Sequence, residues 1–242
     1  MILLERARQS GVPFLVASDP PSAVFVAFYP RRFAAGGDDA IPDRPTAGSS
    51  RPECMTVPDF ESMLATYRSL ELRVEVLMSA ACTPYCAVCP TPCCRTAICR
   101  EAAESPFLLA VHGSRQAFDA KLGYLGATGC KLGAGRPPVC HAFICGRILS
   151  QQESEHHRYA LECLGDLVGF LGKQVWLKRH LVEALSEADL EKSNMHRFQS
   201  RLDTGSDALV ILEKFFSGGQ NLEASEITRL AMIRKPGLML PQ

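Results

Sequence analysis

From Phe60 onward, apolar residues recur at three- and four-residue steps. Phe60, Met63, Leu64, Tyr67, Leu70, Val74, Leu77 and Met78 fall on one side of a helical wheel. They predict a helix over residues 58–80. Pro58 suits its first turn and Asp59 its cap. A second stripe runs through Ala160, Leu164, Leu167, Leu171, Val175, Leu177, Leu181 and Leu185. It predicts a helix over 150–184, with Ser150 as cap, Glu153 at the capping-box position and a kink near Gly172. Ser186 with Asp189 predicts a helix over about 187–202, broken by Gly205 and Ser206. A short helix over 207–216 follows, with Ala208, Ile211, Leu212 and Phe215 inward, and Gly218 and Gly219 end it. A last helix is expected over 222–233 and an extended tail over 235–242.

Two stretches lack this period. Residues 1–54 contain no Lys and are rich in Ala, Pro, Gly and Arg; only 23–29 reads as a strand. They are expected to form a poorly ordered extension. Met55 opens the patterned part, and translation is expected to begin there. Residues 82–148 are loop-rich, because Pro84, Pro90, Pro92, Pro137 and Pro138 forbid long helices. One short helix fits within 98–113, ending before Pro106. A loop region of this length needs something other than a core to stiffen it. Three regions result: an extension, 1–54; a helix with a cysteine-rich metal-binding module, 55–149; and a helical region, 150–242. With no repeat and no βαβ alternation, the fold class is mainly α, a helical bundle carrying an irregular cysteine-rich metal-binding module.

Cysteine usage changes the picture most. The chain has 11 cysteines in 242 residues. Nine lie between Cys82 and Cys145, and Cys54 and Cys163 stand apart. Lys plus Arg equals Asp plus Glu at 26 each. No global field therefore attracts nucleic acid or anionic lipid, and neither is expected as a partner. No apolar run is long enough to span a membrane. MILLERARQSG places Glu5, Arg6 and Arg8 directly after a very short apolar run, unlike a secretory signal. The expected compartment is the cytoplasm, where disulfides do not persist and dense thiols point to metal or redox chemistry.

Thiolate suits zinc, iron–sulfur clusters and copper(I). Cys86 and Cys89 form a C-x2-C pair that presents two sulfurs from one turn. Cys93 and Cys94 are adjacent, so one faces an ion while the other packs or serves a second centre. Cys130 and Cys140 complete a four-thiolate count. Cys86, Cys89, Cys93, Cys94, Cys99, Cys130, Cys140 and Cys145 satisfy the arithmetic of two sites of four or of one site with spare thiols. One site is the preferred reading. Arg136 is placed either beside the thiolates, offsetting their charge, or at a surface turn. His141 reads more readily as a hydrogen-bonded loop histidine than as a ligand.

The order C-x2-C-x3-CC followed by GC-x-L-x3-RP-x2-C resembles the YkgJ-like family of bacterial zinc- or iron-chelating cysteine domains. The matching positions are Cys86, Cys89, Cys93, Cys94, Gly129, Cys130, Leu132, Arg136, Pro137 and Cys140. The likeness covers roughly residues 82–146. Three residues, Pro90 to Pro92, stand before the double cysteine where the family has two, which leaves open whether Cys93 or Cys94 ligates. The resemblance implies metal chelation by zinc (Zn2+) or an iron–sulfur cluster. A related domain in a flagellin lysine methylase implies that such modules also serve modification enzymes. The leading expectation is a metal-binding protein with a redox or structural role. A cluster-dependent enzyme and a zinc-stapled adaptor for a protein partner are the alternatives.

Overall fold

The structure is a computed structural model describing residues 59–90, 93–113, 117–126, 129–218 and 221–237. The expectations for residues 1–54, the strand at 23–29, the start at Met55 and the tail beyond residue 237 lie outside the described residues. The described chain is mainly helical. It holds nine α-helices, a 3-10 turn at Leu181–Glu183 and one two-stranded ribbon. None of the helices among the described residues is long and apolar enough to cross a membrane.

Helix α1 spans Phe60–Cys86, and the Asp59 side chain accepts from the Ser62 amide at 2.8 Å. It runs six residues beyond the expected end, with Pro84 inside its last turn. Pro removes one N–H and clashes with the carbonyl four residues back. Here that conflict falls at the fraying end, where it costs least. Cys82 and Cys86 therefore sit on the helix that carries the apolar stripe. Met63, Tyr67, Leu70, Val74 and Met78 are buried as the spacing predicts.

Two helices, not one, follow. Helix α2 is Thr96–Glu104 and α3 is Pro106–His112. Pro106 starts α3 at a first-turn position, where its missing N–H costs nothing. Ser105 caps it from outside. The strands β1, Leu125–Gly126, and β2, Gly129–Cys130, pair antiparallel with Leu125 opposite Cys130. Short helices α4, Pro138–Ala142, and α5, Gly146–Leu149, close the cysteine-rich part.

Helix α6 is Glu155–Leu171, capped by Ser154 rather than Ser150 and ending at Gly172 rather than kinking there. Leu177 and Leu185 lie past its end and are 65% and 82% exposed, so the expected stripe stops at Val175 and resumes only at Leu181. Helix α7, Glu187–Glu191, starts at Ser186 as predicted. Helix α8, Met195–Phe216, runs unbroken through Gly205. Gly205 is buried against α6: a Cβ there would lie 2.4 Å from Leu171 Cδ2. The glycine permits a close helix approach instead of ending a helix. Helix α9, Ala224–Leu230, completes the order.

Helices α1, α6 and α8 pack on one another and form the core. Tyr67, Phe107 and Phe198 meet there, with the Tyr67 and Phe107 rings edge-on at 4.9 Å. Each fully buried side chain of this kind contributes roughly 1.5–3 kcal/mol. Helix α4 packs on α6. Gly165 makes room for it, since a Cβ would come within 2.9 Å of the His141 carbonyl.

Candidate metal centre

The cysteine module is fastened to α1 by carboxylates. Glu71 is fully buried and accepts from the Gly135 amide at 2.8 Å and the Arg136 amide at 2.9 Å. Its Oε1 also lies 3.0 Å from His141 Nε2. An ionised carboxylate only accepts, so this network requires the proton on Nε2. One turn along α1, Glu75 forms an ion pair with Arg136. The Arg136 Nε also donates to the Leu132 carbonyl at 2.7 Å. The loop between Cys130 and Cys140 is thus held at three points against the helix that carries Cys82 and Cys86.

Other local devices bring in the remaining thiols. The Asp119 carboxylate accepts from the Lys121 and Leu122 amides and shapes a turn. The Thr96 hydroxyl ties that turn to the start of α2 through the Lys121 carbonyl at 2.7 Å. Gly123, with φ of 61°, then lies directly on Cys99: an added Cβ would sit 2.6 Å from Cys99 Cβ. The Lys131 amide donates to the Tyr124 carbonyl, so the ribbon bearing Cys130 follows from that turn. Cys145 precedes α5, which packs on α1.

The thiols sort by the charges they feel. Burial pushes Cys82 up to about 11, and Cys86, Cys93 and Cys145 add to the rise. Cys86 is raised by burial and then by Cys93, Cys89 and Cys145. Cys94 is raised by burial and by Cys93, Cys130 and Cys99. Cys140 is raised chiefly by the protein atoms crowding it, although the residue keeps an exposed side, and then by Cys99, Cys130 and Cys94. Cys130 is raised by burial, while Arg136 and the Leu132 amide at its sulfur favour the thiolate. The Arg136 guanidinium also favours the thiolates of Cys94 and Cys140, while its hydrogen bonds go to Glu75 and the Leu132 carbonyl.

Cys86 and Cys89 on one side, and Cys130 and Cys140 on the other, accordingly keep different thiol neighbours. Among the described residues no three His, Cys, Asp or Glu side chains are already gathered at metal-holding geometry. Thiols are the donor type that soft metals prefer. Neighbouring thiols raise the pKa of Cys82, Cys86, Cys94 and Cys140, a cation would offset that repulsion, and the Leu132 amide donates to the Cys130 sulfur. His141, which lies in α4 rather than in a loop, is spent on Glu71. Sequence spacing passed over Cys82, Glu71 and Glu75. A helix drawn through to Cys86 would have found them, because 71, 75, 78, 82 and 86 lie along one face at three- and four-residue steps.

Cys163 lies elsewhere, fully buried in α6. An open, shallow cleft on α1 is lined by Ala65, Arg68, Ser69, Leu72, Arg73 and Val76, away from the thiols. No family model matches the chain, and neither the curated proteins nor the solved structures contain a match.

Proposed function

We propose that the protein is a metal-binding protein that holds zinc or an iron–sulfur cluster through its clustered cysteines. One observation carries the reading: thiols from the end of α1, the loop before α2, α2 itself, the ribbon, α4 and the N-terminus of α5 form a chain of electrostatic neighbours joined at Cys93 and Cys94. Grouping many thiols without a bound cation is unfavourable for their ionised forms, and a soft cation reverses that penalty. Arg136 and the Leu132 amide would stabilise the bound thiolates. The likeness of the C-x2-C-x3-CC and RP-x2-C stretches to zinc- or iron-chelating cysteine domains supports the same reading. Bound metal would cross-link α1, α2, the ribbon and α4, and an iron–sulfur cluster would also carry electrons.

The test is anaerobic purification of the full chain followed by metal and sulfide analysis and a visible spectrum. Iron with acid-labile sulfide and broad visible absorption identifies a cluster. Colourless protein with stoichiometric zinc identifies a structural staple. Protein that retains no metal, and takes up none when reduced and reconstituted, sinks the proposal.

A further inference from the structure

Among the described residues, the non-glycine residues with positive φ are Gln174, Leu177 and Lys178, at 60°, 40° and 67°. All three lie in the turn that leaves α6. Trp176 and Arg179 bridge antiparallel, each amide donating to the other's carbonyl, and Leu177 and Lys178 form the two-residue tip. Positive φ at both tip positions suits Asn-Gly, because other side chains crowd the backbone there. Leu and Lys go against that local preference. Neighbours impose the conformation. The Asn194 amide donates to the Val175 carbonyl at 2.8 Å, Arg197 Nη1 to the Gln174 carbonyl at 3.1 Å and the Leu181 amide to the Gly172 carbonyl at 2.9 Å. Leu177 contributes little packing in return, since it is 65% exposed. An exposed residue that breaks a local rule with no gain inside the fold points to a contact made outside the chain.

The charges around the tip identify the kind of contact. Lys173, Lys178, Arg179 and Arg197 are exposed and stand on or beside this turn. Arg201 follows Arg197 by one turn of α8, its guanidinium 4.1 Å from the Phe170 ring centroid, and the Arg179 guanidinium lies 5.7 Å from that of Trp176. None of these five cations is ion-paired among the described residues, whereas Arg73, Arg136, Lys214 and Arg234 all are. Glu183 and Asp203, close by in sequence, accept instead from the His180 amide and the Gln199 side chain. A guanidinium resting on a ring keeps its N–H fork available, the geometry that takes a carboxylate by both oxygens. We propose that this turn and the start of α8 dock an acidic segment of a partner protein. Its Asp and Glu carboxylates meet the five cations, and an apolar side chain meets Leu177. Charge over the whole chain cancels at 26 against 26, so the patch acts at contact range and not as a long-range field. A small basic surface around one apolar tip suits a carboxylate-bearing peptide better than the uniform phosphate track of a nucleic acid or the sheet of a lipid surface. No cysteine takes part, so the docking is independent of the metal-binding reading.

The probe is a short fluorescein-labelled peptide rich in Glu with interspersed Leu, titrated into the full chain at low salt. Anisotropy gives the affinity. Trp176 is the single tryptophan and lies beneath Arg179, so its emission gives the location. The expected result is saturable binding that changes Trp176 emission and weakens several-fold as salt is raised. Lys178→Gln/Arg179→Gln should weaken binding about tenfold or more. Lys121→Gln/Lys235→Gln, the same charge change on exposed lysines elsewhere, should leave it unaltered. Leu177→Asn/Lys178→Gly installs the residues that the turn prefers. It should unfold thermally no earlier than the parent, yet bind the peptide about tenfold or more weakly. No saturable binding to the parent, or full affinity in either variant of the turn, overturns the proposal. Earlier unfolding of Leu177→Asn/Lys178→Gly shows that the turn is not strained and overturns it too. Tighter binding of a DNA oligonucleotide or of phosphatidylserine vesicles than of the peptide overturns the acidic-protein partner, because the surface would then serve phosphate.

Discussion

Glu71 Oε1 lies 3.0 Å from His141 Nε2, with Glu71 0% and His141 2% exposed. The same carboxylate takes the Gly135 and Arg136 amides, so one buried group on α1 satisfies three donors of the cysteine loop. Glu71→Ala orphans all three and should cost about 3 kcal/mol or more in urea denaturation of the metal-free protein. Glu71→Gln keeps one oxygen but turns an amide N–H2 toward donors, and should fall between the two. Unchanged stability for Glu71→Ala would show that the loop is not anchored this way.

Tyr67 is also buried, packed edge-on against Phe107, and its hydroxyl has no hydrogen-bond partner among the described residues. Burial pushes its pKa well above the ordinary value, with Glu71 and Glu101 adding to the rise. Tyr67→Phe removes the unpaired hydroxyl and keeps the ring. It should leave stability unchanged or raise it by about 1 kcal/mol. Phe198→Ala, in the same cluster, should cost about 3–5 kcal/mol. Thermal unfolding of both variants checks the pair.

His180 gives the acid limit. Its Nδ1 accepts from the Val182 amide and its Nε2 donates to the Gly169 carbonyl, a pattern that only the neutral ring satisfies. Burial lowers its pKa from 6.5 to about 4. The unfolded ring takes a proton below about pH 6.5, whereas the folded ring waits until about pH 4. Its stabilisation is therefore complete above the unfolded value and is lost as pH falls between the two. Metal-free protein should be about 2–3 kcal/mol less stable near pH 4.5 than near pH 7.5 from this group. In His180→Gln that part of the pH dependence should disappear from denaturation curves.

Arg73 and Glu213 pin α1 to α8 through a two-fold contact, 2.8 Å at Nε and 2.6 Å at Nη2. Both side chains are more than a third exposed, at 38% and 36%. Water and salt screen such a pair, so a double-mutant cycle with alanine at each position should give about 0.5–1 kcal/mol. The coupling should shrink in concentrated salt.

Removing metal should act on the module and spare the bundle. The core of α1, α6 and α8 is apolar, whereas between Gly113 and Leu132 only Tyr124 is a buried apolar residue among those described. A chelator should leave helical circular dichroism nearly unchanged and speed proteolysis within residues 87–137. Loss of the helical signal on chelation would mean that the bundle depends on the metal.

The helices were legible because a buried helical face repeats every three to four residues, and Phe60 to Met78 and Ala160 to Leu171 carry that repeat unbroken. The density of thiols was equally plain and pointed to soft-metal chemistry. Three features were not legible, each for a physical reason. Pro84 reads as a helix breaker, yet α1 tolerates it in the last turn, and Cys82 thereby gains a place. Gly205 reads as a stop, yet the approach of Leu171 turns it into a contact. Glu71 reads as one more surface carboxylate, because nothing local reveals that a loop more than sixty residues away delivers two amides and an imidazole to it. Periodicity is a property of neighbours along the chain, so sequence alone determines the helices and the chemical character of the module. Which thiol-bearing segments come together depends on α5 lying on α1 and on the turn at Gly123 lying against Cys99 of α2, and only tertiary packing decides that, because it joins segments whose spacing carries no record of their meeting.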